Sequence, residues 1–139
     1  MKNLGFALGI FLIAFTTQAQ EEEKVTVTVT VENVLNDNGN VLISLHNNET
    51  FMKGPGVIDL QEKAVKGAVT VTFKDITPGT YAVMVLHDEN DNKRMDFEAN
   101  GMPKESYGVS GNVMAMGPPS FTDSKFEVAN KDLNLAIRF

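Results

Sequence analysis

The chain has 139 residues, 42% of them hydrophobic, a net charge of −6 and no cysteine. That length and composition suit one folded domain with an ordinary core. An acidic chain without a Lys/Arg cluster is excluded from nucleic acid and anionic lipid, which bind clustered cations; the missing cysteine excludes disulfides, thiolate metal sites and thiol nucleophiles.

The first segment reads as an address. Met1-Lys2-Asn3 is a short positive start, Leu4 to Phe15 is apolar, and Thr17-Gln18-Ala19 places small residues at the last and third-last positions. This three-part pattern predicts a secretory signal peptide over 1–19, cleaved after Ala19. The apolar run is too short for a comfortable span, so an uncleaved anchor is the weaker alternative. The mature chain is expected to be periplasmic or extracellular and not an integral membrane protein. Residues 20–24 are expected to form a mobile N-terminus ahead of a domain over 25–139.

Strands then follow in order. Val25, Val27, Val29 and Val31 alternate with threonines and Glu32, which predicts a strand with one buried face. Asn36-Asp37-Asn38-Gly39-Asn40 reads as the turn of a hairpin returning through Val41, Ile43 and Leu45. Phe51 to Gly56 reads as a loop, and Val57 to Lys66 as a weaker edge strand. Val69, Val71 and Phe73 alternate again, followed by a turn at Thr77-Pro78-Gly79. From Thr80 to Leu86 both faces are apolar, as in a central strand covered on two sides. Phe126 and Val128 form a short alternation, and Leu133, Leu135, Ile137 and Phe139 close the chain facing inward.

The fold class is therefore all-β. The pattern predicts a single-domain antiparallel β-sandwich of about seven strands, of the immunoglobulin or transthyretin kind. One long ordered loop, 87–119, interrupts it. An outer-membrane barrel is the rival architecture, but the chain has no Trp and two Tyr, too few for aromatic girdles.

Function is expected in the long loop. Asp88, Asn90, Asn92 and Asp96 occupy positions one, three, five and nine of a calcium loop, with the Arg94 backbone carbonyl at position seven. Alternate oxygen-bearing side chains on a tightly wound loop can converge on one hard cation. Position six is Lys93 where glycine is usual, and position twelve is Ala99, so Glu98 or Glu105 would have to supply the missing carboxylate. The rival reading is a solvated polar turn held by side-chain-to-backbone bonds. His87 is read as orienting the loop through a hydrogen bond, with transition-metal ligation as the alternative. A hydrolase is the other function class: Asp88, Glu89, Asp91, Asp96 and Glu105 could pair carboxylates, or Ser110 or Ser120 could act with His87.

A resemblance enters on a set of motifs in order. These are Ile76-Thr77-Pro78-Gly79-Thr80-Tyr81-Ala82-Val83, His87-Asp88-Glu89-Asn90, Met95-Asp96, Gly101-Met102-Pro103-Lys104-Glu105-Ser106-Tyr107-Gly108 and Gly117-Pro118-Pro119-Ser120-Phe121-Thr122-Asp123. Together they resemble the bacterial exported family catalogued as domain of unknown function 2141, over most of the chain after residue 25. The family usually carries a glycine near Lys93 and another near Ser106, and both are absent here. The resemblance implies an extracytoplasmic β-sandwich and no particular reaction. The expected function is a non-catalytic binding or structural module of the cell envelope, calcium-stabilised through the Asp/Asn loop, with an unknown envelope or extracellular ligand. Pairing with a partner along the Val57–Lys66 edge is a third possibility.

Overall fold

A computed structural model describes residues 17–113 and 116–139. The predicted signal peptide falls almost wholly outside the described residues; Thr17 to Lys24 are exposed and carry no regular structure. Eight strands are found among the described residues: β1 (Val25–Val34), β2 (Asn40–His46), β3 (Ile58–Lys63), β4 (Gly67–Ile76), β5 (Gly79–Asp88), β6 (Tyr107–Val109), β7 (Phe126–Val128) and β8 (Leu133–Arg138). One short helix, α1 (Phe121–Ser124), precedes β7. No described helix is long and apolar enough to cross a membrane.

The strands form two sheets, as the alternation requires. One runs β4-β1-β8; the other runs β3-β2-β5-β6, with β7 pairing the start of β5. Between them lie the apolar residues of the period-two pattern: Val27, Val29 and Val31 opposite Phe73, Val71 and Val69, facing Val41, Ile43 and Leu45 of the other sheet. Each such side chain removed from water contributes about 1.5–3 kcal/mol.

Three expectations need correction. The Asn36–Asn40 turn does not make a hairpin. β1 pairs β4 and β8, whereas β2 pairs β3 and β5, so the turn carries the chain from one sheet to the other. Next, the sandwich is not purely antiparallel: β1 and β8 run parallel, from Val27↔Leu133 to Glu32↔Arg138. Alternation tells which face a residue takes, not which strand it pairs or in which direction. Finally, 87–119 is not one strand-free loop. β5 continues to Asp88, and β6 lies inside the segment, pairing Met84↔Val109 and Leu86↔Tyr107.

The two outer faces differ. On the three-stranded sheet the outward face is mostly polar: threonines pair across strands at Thr28–Thr72 (3.5 Å) and Thr30–Thr70 (3.1 Å), and Glu32, Asn134 and Arg138 lie beside them. On the other sheet the outward row of β5 is Ala82, Met84 and Leu86, opposite His46, Ser44 and Leu42 of β2. The long loop folds back over that apolar row.

Candidate functional site

The acidic loop begins where β5 ends. Asp88 is fully buried, and its two carboxylate oxygens accept the backbone N–H groups of Asn92 (3.1 Å) and Lys93 (2.8 Å). These bonds wind residues 88–93 into a tight coil, with Asp91 and Lys93 both in the left-handed region at φ 56° and 64°. The side chains of Asn90, Asn92 and Asp96 meet at one point: both asparagine amide N–H₂ groups donate to Asp96 Oδ2, at 2.7 and 2.8 Å. Asn92 Oδ1 accepts from the Arg94 N–H at 3.1 Å. The structure thus brings together three of the expected calcium-loop side chains, while Asp88 faces backbone amides. Arg94 is exposed.

Glu105 does reach back to this loop. Its Oε1 accepts from the Glu89 N–H at 3.1 Å and its Oε2 from the Asp96 N–H at 3.2 Å, so it staples both ends of the coil. Glu98 sits in a bend, its N–H bonded to the Met102 carbonyl at 2.7 Å and its carbonyl accepting from the Gly101 N–H at 2.9 Å. Among the described residues no three His, Cys, Asp or Glu side chains are grouped as a metal site. The convergence found here is built with asparagine amides, whose N–H₂ groups point where a cation would need their oxygens.

His87 anchors the coil from below. It is fully buried, stacks on Phe139 with centroids 6.0 Å apart, and its Nε2 lies 2.8 Å from the Asn38 carbonyl, to which it donates. Asn40 Nδ2 donates to Asp91 Oδ1 at 2.9 Å. The inter-sheet turn is therefore the platform on which the acidic loop sits. Gly39 is required there: φ is 62°, and a Cβ would run into the Asp88 carbonyl oxygen. Lys93 pairs with Asp91, which holds that exposed carboxyl below the usual range, and also reaches Gln61 Oε1 at 2.7 Å.

Beyond this coil the same segment becomes the wall of a groove. Met95, Phe97, Met102 and Tyr107 from the loop, with Met84 and Leu86 on the sheet behind, line an open cavity of about 1180 Å³. Phe97 is 58% exposed and Met102 61%, so the wall offers apolar surface to solvent instead of packing away. His46, Asp59, Gln61 and Lys93 are its polar members. His46 is buried, its ring edge-on to Phe51 at 5.9 Å and its Nδ1 3.1 Å from Thr50 Oγ1. Burial holds this imidazole below the ordinary histidine value, opposed by Asp59 and by a bond to Thr50.

Of the motifs that suggested a family, the acidic coil and much of the groove wall fall on this assembly, whereas the β4–β5 turn lies at the far end of β5. A family model described as "Uncharacterized protein conserved in bacteria (DUF2141)" matches residues 29–136. The chain belongs to the DUF2141 family. No curated protein and no solved structure matches it.

The remaining candidate residues of this DUF2141 chain are used structurally. Ser110 Oγ accepts from the Val83 N–H at 2.9 Å and donates to the Ser124 carbonyl at 2.5 Å, tying β6 to α1. Ser120 caps α1, accepting from the Asp123 N–H at 3.2 Å. The methionine-lined groove was missed by sequence reasoning. The available signal was the apolar outward row of β5, which implied a cover on that face but not that the cover stands open.

Proposed function

We propose that this chain is an exported, non-catalytic binding module of the bacterial cell envelope whose ligand face is the groove between β5 and the loop wall. The observation that carries the reading is the contrast between the two outer faces, one a mostly polar surface of threonines and charged residues and the other an open, methionine-lined cavity. Pockets of this size with apolar lining and a few polar groups suit small amphiphiles. Methionine is flexible and polarisable, and it lines surfaces that accept ligands of varied shape. The occupant proposed is a small amphiphile with an apolar body, its polar end toward Lys93 and Gln61. Calcium belongs to the same reading as a stabiliser of the wall: turning the Asn90 and Asn92 amides over, with release of the bonds their oxygens accept from the Asn92 and Arg94 N–H groups, would aim those oxygens, with Asp96, at a shared cation.

The test uses an environment-sensitive anionic naphthalene fluorophore. It should bind the folded chain saturably, and Phe97→Ala with Met102→Ala should weaken binding several-fold without lowering the melting temperature. Fluorophore binding that is absent, or unchanged in that double variant, refutes the groove as the ligand face. The hydrolase alternative has no comparable observation behind it, since Ser110, Ser120 and His87 are each committed to separate structural bonds.

A further inference from the structure

We infer that the His46 end of the groove is a site for a soft monovalent metal ion of the cuprous class, held by the imidazole of His46 and the thioethers of Met84 and Met52. The inference rests on the groove being a binding face and names a ligand class for one end of it. Four of the chain's seven methionines, Met52, Met84, Met95 and Met102, line this one cavity. With no cysteine in the chain, thioethers are its only sulfur ligands, and thioether sulfur and imidazole together select Cu(I) over hard divalent ions.

The strand register brings the ligands together. His46 lies opposite Ala82 and Met84 opposite Ser44, all on the outward face, so His46 and Met84 are diagonal cross-strand neighbours. Such neighbours sit about 7–8 Å apart at the backbone, within reach of long side chains. His46 packs edge-on against Phe51, and Met84 packs against the small cluster that Phe51 forms with Ala82 and Val109. Met52 follows Phe51 directly, is half exposed on the same cavity, and is held at φ 59°, a backbone region unusual for its residue type.

The imidazole is presented correctly for this role. Thr50 Oγ1, which already accepts the Asn47 N–H, has a second lone pair for an Nδ1–H. That tautomer leaves Nε2 as a bare acceptor. The buried, unpartnered side-chain polar atoms among the described residues are His87 Nδ1 and Ser124 Oγ; His46 Nε2 is not among them, and His46 lines the groove. Asp59, at the same end, provides a compensating negative charge.

The purified chain is titrated without oxygen against Cu(I) held by a chromophoric chelator, and Ag(I) serves as a redox-inert probe in NMR of methyl-labelled methionines. One equivalent of Cu(I) should transfer, Ag(I) should move the Met84 and Met52 methyl signals, and Zn(II) should do neither. Met84→Leu, which keeps the volume, and His46→Gln should each weaken Cu(I) binding by about tenfold or more. No transfer, or transfer unchanged in the Met52→Leu/Met84→Leu double variant, overturns the site. The fluorophore is read in the same samples. Fluorophore binding without Cu(I) transfer rejects the metal site and keeps the groove; residue-dependent Cu(I) transfer without fluorophore binding keeps the metal site and rejects the amphiphile reading.

Discussion

Lys93 shows how much one position can conceal. In a calcium loop the sixth residue is usually glycine because the chain must turn with positive φ, and here a lysine makes that turn at φ 64°. The sequence therefore looked less regular than the coil it encodes. Left-handed geometry costs an L-residue about 1–2 kcal/mol, and the Asp88 carboxylate, bonded to two consecutive backbone N–H groups, offsets it. His46 carries a prediction at the same scale. Its imidazole is depressed in the folded chain by burial, with Asp59 and Thr50 opposing. The unfolded chain therefore takes up the proton first on acidification. The stability tied to neutral His46 is full above the unfolded value, about 6.5, and is lost as pH falls through the lower folded value. Urea melts between pH 7 and pH 5 should show stability falling with acid in the parent and falling less in His46→Gln.

At the scale of elements, period-two patterning located β1, β2, β4, β5 and β8 and the face each turns inward. It also marked Val57–Lys66 as an edge, where β3 lies. The pairing was not legible, because a turn rich in Asn and Gly serves equally for a hairpin or for a passage between sheets. β6 escaped because it is a short strand inside a segment without sustained alternation, whereas β7, equally short, was read from Phe126 and Val128; the role of β6 is nevertheless specific. It extends the sheet beyond β5 and passes close to β8 at Gly108, where a Cβ would lie 2.5 Å from the Arg138 carbonyl oxygen and 2.9 Å from Ile137 Cγ2. Gly108→Ala should therefore destabilise the domain by about 1–3 kcal/mol, measured by equilibrium unfolding. A neutral result would mean that β6 can lift off β8 freely.

For the whole molecule, the candidate site was half legible. The Asp/Asn spacing pointed to the coil, and Asn90, Asn92 and Asp96 do meet. The groove was hidden because it is made by a loop returning over a distant strand, and no local pattern records that closure. Calcium tests the coil globally. A site of about 10⁻⁴–10⁻³ M affinity in 10 mM calcium would stabilise the fold by about 1.4–2.7 kcal/mol, a rise of several degrees in Tm. Magnesium at equal concentration should give less, and Asp96→Asn should remove most of the gain. A Tm insensitive to calcium would leave the coil held by its own hydrogen bonds alone.

The parallel alignment of β1 with β8 bears on how the chain reaches this state. Val27 finds its neighbour Leu133 only across 106 positions, and the Thr26 N–H is completed by Asp132 at 2.8 Å over the same interval. A growing polypeptide cannot pair β1 with β8 until that strand, 106 positions later, has been made. Such distant closure makes for slow folding, so the β8 edge of this sheet locks on late.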